Sequence, residues 1–264
     1  MLALVAGGGD LPNALLARIA PPPVLCELAG QPSDLPRNLP RLTYRLERLG
    51  SFLADLRARG VTQLCMAGAL RRPRLDPELV DPQTRPLLAR LAAALGQGDD
   101  GTLRALIAIV EEAGITVVAA HSLAPDLLPA SGILTRIVPG PLHRADSALG
   151  EAAVAEMGRM DTGQACVIRA GCLIAREGTD GTDAMLSALQ SGGGLLFKAP
   201  KPGQDRRADL PVIGPGTARA AMRAGLAGIV IESGGVMVLD LAEVVHLLDQ
   251  AGLFLWVRPP GPVS

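Results

Sequence analysis

Short, almost wholly apolar runs recur through the first half of the chain, each set apart from the next by glycine or proline and by a stretch of helical period. Leu2–Ala6 is the first such run, followed by Gly7-Gly8-Gly9 and a helical segment over 11–20. Val24–Leu28, 62–67 and 115–119 follow the same plan, with helices expected over 52–59, 86–95 and 102–113. A strand that is apolar on both faces must be covered on both faces. The pattern therefore predicts a parallel sheet flanked by helices, an open Rossmann-like α/β domain.

The rhythm breaks between residues 125 and 143, where prolines and glycines punctuate the chain without helical period. The domain boundary is placed there, giving a Rossmann-like α/β domain over 1–130 and an α+β domain over 131–264. In the second, helices are expected over 145–160, 184–190, 218–223 and 241–250, and strands over 165–169, 172–175, 195–197, 227–232, 236–239 and 253–257. Thr182 or Asp183 is expected to cap the second of these helices, and Thr217 to open the third. A chain of 264 residues suits two cores, and 48% hydrophobic content supplies them. Aromatic residues make up 2% and the formal net charge is -1. Neither the stacking platforms nor the basic excess of a nucleic-acid binder is present. Cys26, Cys65, Cys166 and Cys172 sit among apolar neighbours without metal-ligand spacing, and read as reduced core thiols of a cytoplasmic protein. The opening run reads as a first strand rather than a signal peptide, and no apolar run reaches membrane-spanning length.

Chemistry concentrates in three stretches. Residues 198–217, K-A-P-K-P-G-Q-D-R-R-A-D-L-P-V-I-G-P-G-T, are too rich in proline and glycine for a continuous helix or strand, yet carry Lys198, Lys201, Asp205, Arg206, Arg207 and Asp209. Cations that hold an anionic group, beside carboxylates that hold a metal or take a proton, are what phosphoryl chemistry requires. Gly7, Gly8 and Gly9 form a turn whose amides could approach a phosphate. Pro12 stands where the third glycine of a dinucleotide fingerprint belongs, and Glu27 is only near the ribose position. Glu177, Thr179, Asp180, Thr182 and Asp183 make a polar loop suited to a metal or sugar hydroxyls, and helix capping accounts for only part of it. Asp99 and Asp100 read as helix-start residues, Arg71, Arg72 and Arg74 as a basic turn after a strand, and His121, His143 and His246 as isolated structural histidines. Two other classes remain open: an NAD(P)-dependent oxidoreductase, and a non-catalytic nucleotide-sugar or lipid-binding protein.

Taken together, L-V-A-G-G-G-D-L-P, G-Q-G-D-D, E-G-T-D-G-T-D-A-M and K-A-P-K-P-G-Q-D-R-R-A-D-L-P-V-I-G, followed by A-G-L-A-G-I-V, resemble the LpxI family of UDP-2,3-diacylglucosamine pyrophosphatases. The resemblance runs in order along nearly the whole chain. It implies a cytoplasmic enzyme of lipid A biosynthesis that splits its substrate into UMP and 2,3-diacylglucosamine 1-phosphate (lipid X). It implies Mg²⁺ (or Mn²⁺ or Co²⁺) as cofactor, a lipid-linked UDP-sugar as substrate, peripheral contact with the inner membrane, and a homodimer. The family's essential aspartate maps to Asp209 in D-L-P, and an acidic position of the same loop to Asp205. These two are the expected metal ligands and, with Lys198 and Lys201, the expected catalytic set. Gly7, Gly8, Gly9, Glu177, Thr179, Asp180, Asp183, Gln204 and Thr217 are the expected substrate-binding residues.

Overall fold

A computed structural model describes every residue except Arg72, Gln97, Ser191 and 261–264, together with all but the side chain of Asp99. The chain forms two compact units, one of Met1–Ala124 with Asp205–Asp209, the other of Pro125–Gln204 with Leu210–Ser264.

The first unit contains β1 (Leu2–Ala6), α1 (Leu11–Leu16), β2 (Val24–Leu28), β3 (Arg41–Tyr44), α2 (Leu49–Ala58), β4 (Gln63–Ala67), α3 (Leu88–Leu95), α4 (Asp99–Glu112), β5 (Thr116–Val117) and α5 (Ala120–Leu123). Its sheet has the order β3-β2-β1-β4-β5 and every pairing is parallel. The strand order reverses between β1 and β4, the place at which open α/β sheets leave a crevice beyond their carboxyl ends. Ala3, Val5, Cys26 and Leu64 of the strands pack with Phe52, Leu56, Leu91, Ile107 and Val110 of the helices, so the expected Rossmann-like domain is present. Edge strand β3 was not anticipated: R-L-T-Y follows a proline-rich stretch and is only half-buried, so it lacks the apolar run that marks its neighbours. Helix α1 stops at Leu16, short of the expected residue 20.

The second unit holds β6 (Gly132–Ile133), α6 (Pro141–Arg159), β7 (Ala165–Arg169), β8 (Cys172–Arg176), α7 (Gly181–Ser187), β9 (Leu195–Lys198), β10 (Val212–Ile213), α8 (Pro215–Arg223), β11 (Gly228–Glu232), β12 (Met237–Val238), α9 (Leu241–Ala251) and β13 (Phe254–Arg258). Its main sheet runs β6-β13-β11-β9-β7-β8, parallel through β13, β11 and β9 and antiparallel at both ends. β11 and β12 do not pair with each other: β12 joins β10 in a separate two-stranded parallel sheet. Two expected caps are displaced. α7 has Asp180 as its N-cap, without a side-chain cap bond, and α8 begins at Pro215 after Gly214, so Thr182 and Thr217 lie inside their first turns.

Of the four thiols, Cys26, Cys65 and Cys166 are buried, and burial pushes each up to about 12. Cys172 is exposed on β8, which corrects its assignment to a core.

Candidate active site

The glycine turn after β1 is held against the loop after β4. Gly7 N donates to Ala67 O at 2.8 Å, Gly8 N to Ala69 O at 2.9 Å, and Ala69 N back to Gly8 O at 2.9 Å. A Cβ on Gly7 would stand 2.4 Å from Ala69 O, so the glycine serves a close approach of two backbone segments. Gly9 N donates to the Asp34 carboxylate at 2.6 Å. All three glycine amides therefore meet acceptors within the chain, which removes the expected cradle of open donors for a phosphate. Glu27 is likewise engaged. Burial works against its ionisation, but bonds from Ser33 and Arg41 outweigh this and hold its carboxyl below the usual range. A carboxylate so occupied does not serve as a ribose acceptor.

The tip of the charged loop belongs to this same unit, whereas the sequence assigns the whole loop to the second domain. The physical reason lies in its contacts. Arg207 chelates Asp205, with Nη2 at 2.7 Å and Nε at 3.0 Å, and its Nη1 reaches Glu111 on α4 at 2.8 Å. Asp205 N donates to Asp100 Oδ1 at 3.5 Å, and Asp100 in turn pairs with Arg104. Ala208 packs on the core beneath. The Arg207 guanidinium holds the Asp205 carboxyl below its ordinary value. Asp100 thus does more than open a helix; the side chain of Asp99, and Arg72 of the basic turn, lie outside the described residues.

Asp209 lines a pocket of about 290 Å³ at the carboxyl ends of the strands, together with Leu28, Tyr44, Met66, Gly68, Arg71, Leu95 and Leu106. The walls are mostly apolar, with Arg71 and Asp209 as charged groups. Gln31 fixes the rim, its amide nitrogen donating to Arg71 O at 2.7 Å and its oxygen accepting from Arg71 N at 2.5 Å. A larger hollow of about 640 Å³ beside β3 reaches none of the loop residues. His121, at the start of α5 beyond β5, has a buried Nδ1 without a partner, and burial and then Arg206 push its imidazole toward neutrality. His143 and His246 have local partners: Nδ1 of the first accepts from Gly140 N at 3.2 Å, and the second meets Gln250 at 2.9 Å.

In the second unit, three residues singled out in the sequence converge. Lys198, buried at the end of β9, donates from Nζ to Thr182 Oγ1 at 2.8 Å, and that hydroxyl donates to Glu177 Oε1. Glu177 Oε2 accepts from Gln164 N at 2.7 Å. The result is a buried ammonium–hydroxyl–carboxylate chain, with the Gln164 side-chain oxygen buried and unpartnered beside it. Thr179, Asp180 and Asp183 are exposed around the start of α7. Lys201 does not join this set. Its Nζ lies 2.5 Å from Asp161, a residue in the left-handed region at φ 52, so it anchors the loop to the end of α6. Gln204 closes the turn beside it, its Oε1 accepting from Lys201 N at 3.0 Å. Thr217 sits half-buried on α8. Sequence reasoning missed His121 and Gln164, because an isolated histidine or glutamine carries no spacing signal, and took Thr182 for a cap.

Among the described residues no three His, Cys, Asp or Glu side chains gather at a point, so these residues form no closed metal cage. Mg²⁺ needs none: it is commonly held by one or two carboxylates and completed by substrate phosphates and water. Of the two expected ligands, Asp205 is engaged by Arg207, and Asp209 stands at the pocket.

These features define a two-unit α/β protein with a mostly apolar pocket beyond a parallel sheet and a separate buried polar relay. The LpxI N-terminal domain model matches residues 1–127 and the LpxI C-terminal domain model residues 130–256. UDP-2,3-diacylglucosamine pyrophosphatase LpxI of Caulobacter vibrioides (strain ATCC 19089 / CIP 103742 / CB 15) is 34% identical over 275 residues, covering 96% of both chains. The chain belongs to the LpxI family.

Proposed function

We propose that this protein hydrolyses the diphosphate of UDP-2,3-diacylglucosamine, releasing UMP and 2,3-diacylglucosamine 1-phosphate within lipid A biosynthesis. The observation that carries this reading is Asp209 on the rim of a mostly apolar pocket, in a family member 34% identical to a protein of that name. The substrate has both a polyanionic and an acylated end, and a pocket that is apolar with Arg71 and Asp209 at its edge suits their junction.

One water attacks phosphorus, the P–O–P bridge breaks, and the proton of the water leaves through a base. Asp209 is the group assigned to orient that water and take its proton. Asp209, and Asp205 once released by Arg207, are the residues that would hold Mg²⁺, Mn²⁺ or Co²⁺, which would neutralise the diphosphate's charge. Peripheral contact with the inner membrane and a homodimer belong to the same proposal.

Incubation of the purified chain with UDP-2,3-diacylglucosamine, with and without Mg²⁺, should release UMP and lipid X only with the metal. Asp209→Ala is expected to lower turnover by about a hundredfold or more while substrate still binds. Binding of the substrate without product under any metal would instead make the chain a carrier, and near-wild-type turnover by Asp209→Ala would remove the assigned base.

A further inference from the structure

Gln31 stands in the loop after β2 and Arg71 in the loop after β4, 40 residues apart. β1, β2 and β4 run parallel, so the loops that follow them meet at one end of the sheet. The loop after β2 is fixed from within the fold. Buried Glu27, held by Arg41 at 2.6 Å, accepts from Ser33 N at 3.0 Å and from the Ser33 hydroxyl, and that hydroxyl oxygen accepts from Leu35 N at 3.3 Å. The Asp34 carboxylate takes the amide of Gly9 in the turn after β1. From this fixed loop the Gln31 side chain reaches the loop after β4: its Oε1 accepts from Arg71 N at 2.5 Å and its Nε2 donates to Arg71 O at 2.7 Å. One amide side chain thus satisfies both polar groups of a main-chain residue that lies beyond the end of β4 and has no ladder partner there.

The residue so held has its side chain to spare. Arg71 is exposed, and its guanidinium has no ion pair or hydrogen bond among the described residues. Other arginines of this unit are committed: Arg41 to Glu27, Arg104 to Asp100, Arg207 to Asp205 and Glu111. Among the described residues that line the pocket at the carboxyl ends of the strands, Arg71 is the one cation and Asp209 the one carboxylate. An anionic ligand entering there meets a like charge at Asp209, and Arg71 is the group in the same lining that offsets it. A guanidinium fork matches two phosphate oxygens only from a defined direction, and a main chain tied at both N–H and C=O fixes where that approach begins.

We propose that Gln31 is a positioning residue for the hydrolysis: it holds the Arg71 main chain from both polar groups, so that the Arg71 guanidinium meets a phosphate of the substrate at the pocket. The inference rests on the proposed function, from which it takes the diphosphate substrate.

The test is steady-state hydrolysis of detergent-dispersed UDP-2,3-diacylglucosamine by the purified full chain with Mg²⁺, with the thermal midpoint recorded for each variant. Arg71→Gln should raise KM about tenfold or more. Gln31→Met, close in volume and without either bond, should raise KM about threefold to tenfold with kcat within about twofold of the wild type, because binding and not the chemical step loses an interaction. In the Arg71→Gln background Gln31→Met should add nothing to KM, since the two residues act through one contact. A merely structural brace would instead act alike in both backgrounds. Gln31→Glu keeps the shape and the acceptor for Arg71 N and loses the bond to Arg71 O; it carries the same expectation if Gln31→Met does not fold. Calorimetric titration of the same substrate into Asp209→Ala, with and without Gln31→Met, should read the weakening as a rise in Kd without turnover. An unchanged KM and Kd in the Gln31 variants, or a rise in KM that persists undiminished in the Arg71→Gln background, overturns the assignment of Gln31 and leaves the enzymatic reading standing. A wild type that neither binds nor cleaves the substrate overturns both.

Discussion

The Thr182 hydroxyl accepts from Lys198 and donates to Glu177, both buried. Thr182→Val keeps the volume and removes the shared partner, so it should destabilise the protein by about 1–3 kcal/mol, read as a shift in urea midpoint. An unchanged midpoint would show that the relay carries no stability. The sequence marked Glu177 and Lys198 as chemistry-bearing but could not show that one threonine joins them, because Thr182 also stood at a helix start, where a cap was the simpler account. Lys201 illustrates the opposite error: in the sequence it is a second loop cation equivalent to Lys198, and in space it is paired with Asp161. Asp205 offers a test by pH. Arg207 depresses its folded-state pKa, so the stabilisation is complete above the unfolded value of about 3.9 and is lost as pH falls through the lower folded value. Asp205→Asn should therefore be less stable than the wild type at pH 7, and the gap in urea midpoint should hold down to about pH 4 and narrow below it. A gap constant down to pH 2 would count against the Asp205–Arg207 linkage.

Among the elements, the local sequence specifies the strands more completely than the glycine turn. β1, β2 and β4 were legible because burial on both faces demands continuous apolar runs, whereas β3 at the sheet edge escaped. The turn after β1 was legible as a turn, but its purpose was not. It receives the loop after β4, where Gly68 has φ +87 and a Cβ would stand 2.7 Å from Gly8 O. Gly68→Ala is expected to cost about 1–3 kcal/mol from backbone strain alone, with the clash added, and to loosen the pocket rim. Hydrogen exchange should then rise in β1 and β4 before it rises in the second unit. Equal protection in both proteins would mean that the turn and the loop are not mutually dependent.

For the whole molecule, the sequence by itself determined that there are two units, that the first is a parallel α/β sheet, and that the loop from Lys198 bears the acidic and basic groups. Each of these follows from local chemistry: burial fixes the period of apolar residues, and proline and glycine fix where regular structure stops. Only the tertiary structure decided that Asp205–Asp209 pack with the first unit, that the glycine amides are already occupied, that Lys198 and not Lys201 enters a buried relay, and that Gln31 ties down the main chain of Arg71. Those outcomes depend on which donor finds which acceptor across tens of residues. Residue order specifies such pairings only through the energy of the assembled fold, where every buried polar group must be matched at once.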